Sequence, residues 1–271
     1  MNMLIEQIRS FFYSRRCRLK PTDLGILDDG KNRRVKGLRR EELAEQAGLS
    51  VEYYTKLEQG RVSNPSLQTL SVLADVLRLD ASERQYLYLL FNRERPLSSA
   101  EIYSDAATLQ FYIESFVLTP AYFLDVRLDI ISPNFLARKL ITGTDESVHE
   151  LNLARVVFLD DEAKNRYATW REKAEDTAAM LRFAIALFPQ DTYLFELHAE
   201  LYERSDLFRL LWNQHRVLEK TNGYRPLFYP DGTRLETSYE TFTLNQNPLL
   251  RLVVYFPNDM ATRERLAALQ Q

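Results

Sequence analysis

The residues best suited to chemistry stand in the run Leu38 to Pro65, LRREELAEQAGLSVEYYTKLEQGRVSNP. Wound as a helix from Val51, this run puts Tyr54 and Leu57 on one side and Val51, Glu52, Thr55, Lys56 and Gln59 on the other. The second set suits the edges of DNA bases. Val51 can pack on a thymine methyl, Glu52 can accept from cytosine N4, and Lys56 can donate to guanine O6 and N7. Tyr53 and Thr55 suit either a base edge or a phosphate. Arg40, Arg61 and Asn64 suit phosphate, and Arg in particular offers a charge-assisted contact. Ser50 belongs with this DNA-facing set and also caps the helix, because its hydroxyl can accept an orphan backbone N–H. Glu58 is better placed inward, since an acid beside phosphate would be repelled. Upstream, Arg33, Arg34, Lys36 and Arg39 are possible DNA-backbone contacts, in an arm that follows the duplex or in a solvated loop.

A second group is aromatic. Tyr122, Phe135, Trp170, Phe183, Phe208, Trp212, Tyr229, Tyr239 and Tyr255 are either ordinary core or the wall of an apolar pocket. Arg182 lies among apolar residues, so burial requires a partner, and a salt bridge to an acid is the simplest one. No catalytic or metal signature accompanies either group. The chain has no P-loop, G-x-G-x-x-G, G-x-S-x-G or H-E-x-x-H run. His149, His198 and His215 stand apart from one another and from the single Cys17. Neither an enzyme nor a metal or cofactor is expected.

The elements that must hold these residues follow from pattern. Helices are expected at 2–19, 39–47, 51–59, 66–79 and 83–93, the last opened by a capping box at Ser82 and Gln85. Gly48 suits the stop between the second and third, so the pair makes a helix-turn-helix unit. Arg15, Arg16, Arg18 and Lys20 close the first helix, either favouring its macrodipole or meeting phosphate. Leu67, Leu70, Leu73, Ala74 and Leu77 form the inward face of the fourth. The connection at 21–38 turns at Asp28-Asp29-Gly30. Pro96 to Ser99 begins a linker, placed at 96–103 between domains at 1–95 and 104–271.

The motif E-E-L-A-E-Q-A-G-L-S-x-x-Y-Y-x-x-L-E-Q-G-R resembles the phage-repressor-like (Xre-type) helix-turn-helix, and the flanking L-R-R and V-E-Y-Y-T-K resemble its MmyB-like branch. That branch has a C-terminal PAS-like ligand-binding domain. Where many repressor-like proteins carry Gln, this chain has Arg40.

Composition fits such a two-domain protein. The chain has 271 residues, 45% hydrophobic and 27% charged, and a net charge of −3. Residues 1–95 hold 17 Lys/Arg against 13 Asp/Glu, and residues 96–271 hold 18 against 25. The basic excess therefore lies with the helix-turn-helix, where phosphate contact needs it. No apolar run approaches the ~20 residues of a membrane helix. One cysteine and no signal-peptide pattern point to the cytoplasm and to no membrane.

Beyond residue 104 the texture changes. A helix at 104–118 precedes two short strands at 120–125 and 127–131 in hairpin arrangement. Short helices follow at 135–140 and 151–158, then a long one at 160–188 and two more at 191–204 and 206–214. Strands are expected at 224–229, 234–243 and 249–256, with a turn at Pro230-Asp231-Gly232, and a last helix at 261–270. The fold class is α+β: an all-α five-helix domain, then a domain with one five-stranded antiparallel sheet and a large helical insertion. Asn134, Leu153 to Phe158 ahead of Trp170, Ser205-Asp-Leu-Phe208 with Leu211-Trp212 and His215, and Tyr239-Glu-Thr-Phe242 resemble the MmyB-like domain. One departure is Tyr229-Pro230, where similar proteins carry His-Pro. The resemblance implies a DNA-binding transcriptional regulator that dimerises and binds a fatty-acid-like effector, with a polar group such as His215, Tyr229 or Arg182 near its carboxylate. The alternative is a C-terminal domain that only dimerises or meets a protein partner.

Overall fold

The computed structural model describes residues 3–26, 37–91, 106–142, 151–217, 221–229, 231–244 and 247–270. The expected turn at Asp28–Gly30, the basic residues Arg33, Arg34 and Lys36, and the linker at 96–103 lie outside them. The chain divides into two compact units, Met1–Pro96 with Ile185–Gln190, and Leu97–Ala184 with Asp191–Gln271.

The first unit carries α1 (Met3–Arg18), α2 (Arg40–Gln46), α3 (Val51–Glu58), α4 (Leu67–Val76) and α5 (Ala81–Phe91). Apolar residues at helical spacing meet in one core, where Ile8, Phe11, Phe12, Leu43, Tyr54, Leu57, Leu73 and Leu87 are buried. Phe12 meets Tyr54 edge-on at 6.1 Å between ring centroids, a favourable aromatic geometry. Gly48 ends the α2 turn at φ +64°, and a Cβ on Gly37 would lie 2.5 Å from the α1 backbone.

Two expectations change here. The capping box of α5 is Asp80 and Glu83, not Ser82 and Gln85. The Glu83 N–H donates to Asp80 Oδ1 at 2.8 Å, and the Asp80 N–H donates to Glu83 Oε2 at 3.2 Å. Glu83 also pairs with Arg15 and Arg18, so the acid that the basic end of α1 needs fixes where α5 begins. Leu67 is 75% exposed although its spacing matches the inward row. It opens α4, and periodicity alone does not show whether a first turn has a neighbour to pack on.

The second unit is built on a five-stranded sheet of order β2-β1-β7-β6-β3. Its strands are β1 (Ala121–Leu124), β2 (Ile130–Ile131), β3 (Asn222–Tyr224), β6 (Thr237–Leu244) and β7 (Asn247–Pro257), and every neighbouring pair is antiparallel. A separate ribbon pairs β4 (Leu227–Phe228) with β5 (Arg234–Leu235). One sheet face packs Ala121, Phe123, Leu250 and Val254 on Leu109 and Ile113 of α6 (Ala106–Glu114). Between β2 and β3 run α7 (Phe135–Ala137), α8 (Leu153–Leu159), α9 (Ala163–Arg166), α10 (Trp170–Leu187), α11 (Thr192–Arg204) and α12 (Asp206–Asn213). After β7, α13 (Met260–Ala268) closes the chain. This is the expected PAS-like α+β arrangement with a large helical insertion.

The expected long helix at 160–188 is broken. Tyr167 bridges to Leu227, and the Ala168 N–H donates to the Pro226 carbonyl at 3.0 Å, so α9 and α10 are separate. The expected strand at 224–229 also divides, one part in the sheet and one in the ribbon. Arg225 stands at the division with 1% exposure and turns its guanidinium to Asp176 and Thr169. The second hairpin strand shortens to two residues because Leu128 takes φ +66° in the turn before it.

Candidate functional site

Two places gather chemistry, one in each unit. In the first, Ser50 Oγ accepts the Tyr53 N–H at 3.1 Å and starts α3. Tyr54 and Leu57 are wholly buried, so the opposite side of α3 faces solvent. There Val51, Glu52 and Lys56 are exposed, Tyr53 and Thr55 are half-buried, and Arg61 and Asn64 beyond the helix are exposed. Lys56 Nζ donates to Glu52 Oε1 at 2.7 Å. That hydrogen bond and the ammonium charge hold the Glu52 carboxyl below its ordinary range.

Glu58 fixes the frame behind this surface. Its buried carboxylate accepts from Arg16 Nε at 3.1 Å and from Arg40 at 2.8 Å, joining α1, α2 and α3. Arg16 donates also to the Leu38 carbonyl at 2.6 Å. Burial raises the Glu58 pKa, but the two guanidiniums outweigh it and the group stays below its usual range. Arg40 keeps 43% of its side chain exposed, beside the start of α2. Arg39 is the N-cap of α2, and its N–H donates to Glu42 Oε2 at 2.7 Å. Glu58 lies inward, as the repulsion between an acid and phosphate predicts. Its partner Arg16 was not visible in the sequence, where the α1 arginines pointed equally to macrodipole and phosphate.

In the second unit, a cavity of about 30 Å³ lies on the sheet face opposite α6. Tyr122 and Leu124 of β1, Tyr239 and Thr241 of β6, and Arg251, Val253 and Tyr255 of β7 form its floor. Leu153, Arg225 and the α10 residues Lys173, Asp176 and Met180 complete it. Arg225 donates to Asp176 Oδ2 at 2.6 Å and to Thr169 Oγ1 at 3.1 Å, and its buried Nε has no partner among the described residues. Lys173 lies 5.6 Å from the centre of the Tyr167 ring. Burial raises the Tyr122, Tyr167 and Tyr255 phenols well above their ordinary value and pushes Tyr239 up to about 12, so all four stay neutral donors. Three cations against one carboxylate give the lining a positive balance.

Of the nine residues expected around a ligand, Tyr122 and Tyr239 line this cavity. The structure puts the other seven elsewhere. The Trp170 indole N–H donates to the Val157 carbonyl at 3.3 Å. Phe208 and Trp212 stack at 5.4 Å, and His198 meets Trp212 at 4.4 Å. Arg182 is buried over the Trp212 ring, 4.0 Å from its centre, and donates to the Trp212 carbonyl. Phe135 is 38% exposed and Tyr229 lies beside Arg265. His215 follows α12 at φ +53°. Of the large aromatics, Tyr122, Tyr239 and Tyr255 line the cavity and the rest pack elsewhere. A better signal was available: Lys173, Asp176 and Met180 recur at i, i+3 and i+7 on α10, and Arg251, Val253 and Tyr255 alternate on β7.

A family model described as the MmyB-like transcription regulator ligand binding domain matches residues 106–269. The chain belongs to the MmyB-like transcription regulators. A helix-turn-helix domain model matches residues 15–87, which contain α2, the Gly48 turn and α3. No curated protein matches the chain. This MmyB-like protein is thus a DNA-binding helix-turn-helix regulator. Among the described residues, no helix is long and apolar enough to cross a membrane, and no group of three or more His, Cys, Asp or Glu is placed to hold a metal ion.

Proposed function

We propose that this MmyB-like regulator is a cytoplasmic homodimer that reads operator DNA through α3 and takes a fatty-acid-like effector into the sheet-face cavity. The DNA-binding domain is 1–95, the linker 96–103, and the effector and dimerisation domain 104–271. Two copies would read half-sites about one helical turn apart. Val51, Glu52 and Lys56 face base edges, and Tyr53 and Thr55 meet bases or phosphates. Arg40, Arg61, Asn64 and the N-terminal turn at Ser50 meet the backbone, with Arg33, Arg34, Lys36 and Arg39 extending that contact.

The observation that carries the effector reading is the cavity lining. Lys173, Arg225 and Arg251 suit a carboxylate, while Leu124, Leu153, Met180 and Val253 suit an acyl chain. A site for a drug-sized ligand holds about 300–1,000 Å³. At about 30 Å³ the cavity must open for a chain to enter. A ligand that binds only the open form shifts the population toward it, and DNA affinity follows if the two forms favour different dimer geometries. The same tightness favours a second reading, a domain that dimerises without a ligand.

Native mass spectrometry of the purified full-length protein, with solvent extraction of bound molecules, tests both. A dimer carrying one acyl-chain ligand per subunit supports the effector reading. A dimer with nothing bound, and with no acyl compound raising its Tm, supports the second. A monomer at micromolar concentration refutes the homodimer.

A further inference from the structure

The two polar side chains at the centre of the α3 surface are bonded to each other, and that bond restricts what they can read. Lys56 Nζ and Glu52 Oε1 are 2.7 Å apart, one helical turn from each other, with side chains 53% and 79% exposed. The backbone beneath them is held by the Ser50 cap and by buried Tyr54 and Leu57.

An ammonium has three donors and an ionised carboxylate has about four acceptor sites. With one donor spent on Glu52, Lys56 keeps two, and Glu52 keeps acceptor sites on both oxygens. The pair therefore offers two donors beside an acceptor, and the two head groups stand a hydrogen-bond length apart. A G·C pair presents the complement in the major groove. Guanine N7 and O6 are adjacent acceptors, and cytosine N4 is a donor next to O6. O6 and N4 are hydrogen-bonded to each other, so they too stand a hydrogen-bond length apart. An A·T pair presents its donor, adenine N6, between the acceptors N7 and O4. A carboxylate aimed at N6 meets negative partial charge on both sides. The pair is also neutral as a unit, so Glu52 enters the groove without the full repulsion that phosphates exert on a lone acid.

We propose that Glu52 and Lys56 read one G·C base pair as a single unit, Lys56 on guanine O6 and N7 and Glu52 on cytosine N4. The proposal rests on the reading of α3 as the DNA-recognition helix. It makes one G·C pair a fixed feature of each half-site, and it makes Glu52 a specificity-determining residue.

The test is selection from a random duplex library by the full-length protein, its Glu52→Ala and Lys56→Ala variants and the double variant. Both positions are exposed, and unchanged circular dichroism and Tm confirm that the variants fold. The wild type should enrich G·C at one position per half-site. Each single substitution should cut that preference about tenfold or more at the same position, and the double should cut it little further. A wild-type duplex with 7-deazaguanine at that position should bind the wild type more weakly and the Lys56→Ala variant unchanged. Loss of preference at two different positions, additive losses, or a preserved G·C preference in the double variant would each overturn the unit. If the wild type enriches no sequence, the recognition-helix reading fails as well, a different result from loss confined to the variants.

Discussion

Glu58 shows how one residue can serve an interface it does not touch. Its carboxylate holds Arg16, which is buried, and Arg40, which is half in solvent. Removing the acid leaves the Arg16 charge buried without its carboxylate, and breaking a buried pair in this way costs about 3–5 kcal/mol. Glu58→Ala should lower the urea midpoint of the helical unit accordingly, and an unchanged midpoint would show the triad to be dispensable. Arg40→Ala leaves the Arg16–Glu58 pair in place, so its stability cost should stay within about 1 kcal/mol. Its effect should appear in DNA titrations instead, as weaker binding to every sequence alike and a salt slope flattened by about one. Lys56→Ala, by contrast, should cost about 1–3 kcal/mol at one base pair. Equal salt slopes for Arg40→Ala and wild type would remove Arg40 from the phosphate contacts. The helical period made Tyr54 and Leu57 legible in the sequence, and charge repulsion from phosphate made Glu58 legible. Arg16 was not, because its partner lies 42 residues away and only the tertiary fold brings them together.

At the scale of elements, the helix-turn-helix was legible almost to the residue because its signals are local: the Gly48 stop, the Ser50 cap and the spacing of the inward row. The second unit was legible as a list of helices and strands but not at its breaks. The break between α9 and α10 goes with the Tyr167–Leu227 bridge, and that between β3 and β4 with Arg225, which meets Asp176 and Thr169 across 49 and 56 residues. Local propensity holds no trace of such a contact. The same pair tests how the cavity is held. Arg225→Met alone takes the buried guanidinium from the Asp176 carboxylate and should destabilise the unit by about 3 kcal/mol, while adding Asp176→Leu should recover most of that loss. Denaturant midpoints of the two variants decide it: a double variant no better than the single would mean that Arg225 acts through packing and not through its charge. Lys173→Met leaves that pair intact, and it should weaken binding of an anionic acyl compound severalfold by calorimetry while sparing its uncharged alcohol.

For the molecule as a whole, two groups in the second unit, buried Asp125 and half-buried His198, make opposite demands on pH. Burial, with the charge of Asp129 behind it, pushes Asp125 up to about 7. Burial, with the Arg182 charge behind it, pushes His198 down to about 4. The unfolded values are about 3.9 and 6.5. Between about pH 4 and 7 the folded protein holds a proton on Asp125 that the unfolded chain releases, so this group's stabilisation is full below about 4 and fades as pH rises through 7. Over the same window the unfolded chain binds a proton at His198 that the folded protein refuses, so that contribution is full above about 6.5 and fades as pH falls through 4. The two slopes oppose each other, and the wild-type Tm should change little between pH 7 and 5. Substitution should expose each slope. Asp125→Asn keeps an acceptor for the Asp129 N–H, which Asp125 Oδ1 now takes at 2.8 Å, and should leave a protein that loses Tm on acidification. His198→Phe keeps a ring against Trp212 and should leave one that gains Tm on acidification. Scanning calorimetry at pH 5 and 7 on the two variants checks this. Parallel shifts in both would mean that neither group titrates as its surroundings dictate, and that the pH response is set by the acidic surface of the C-terminal half.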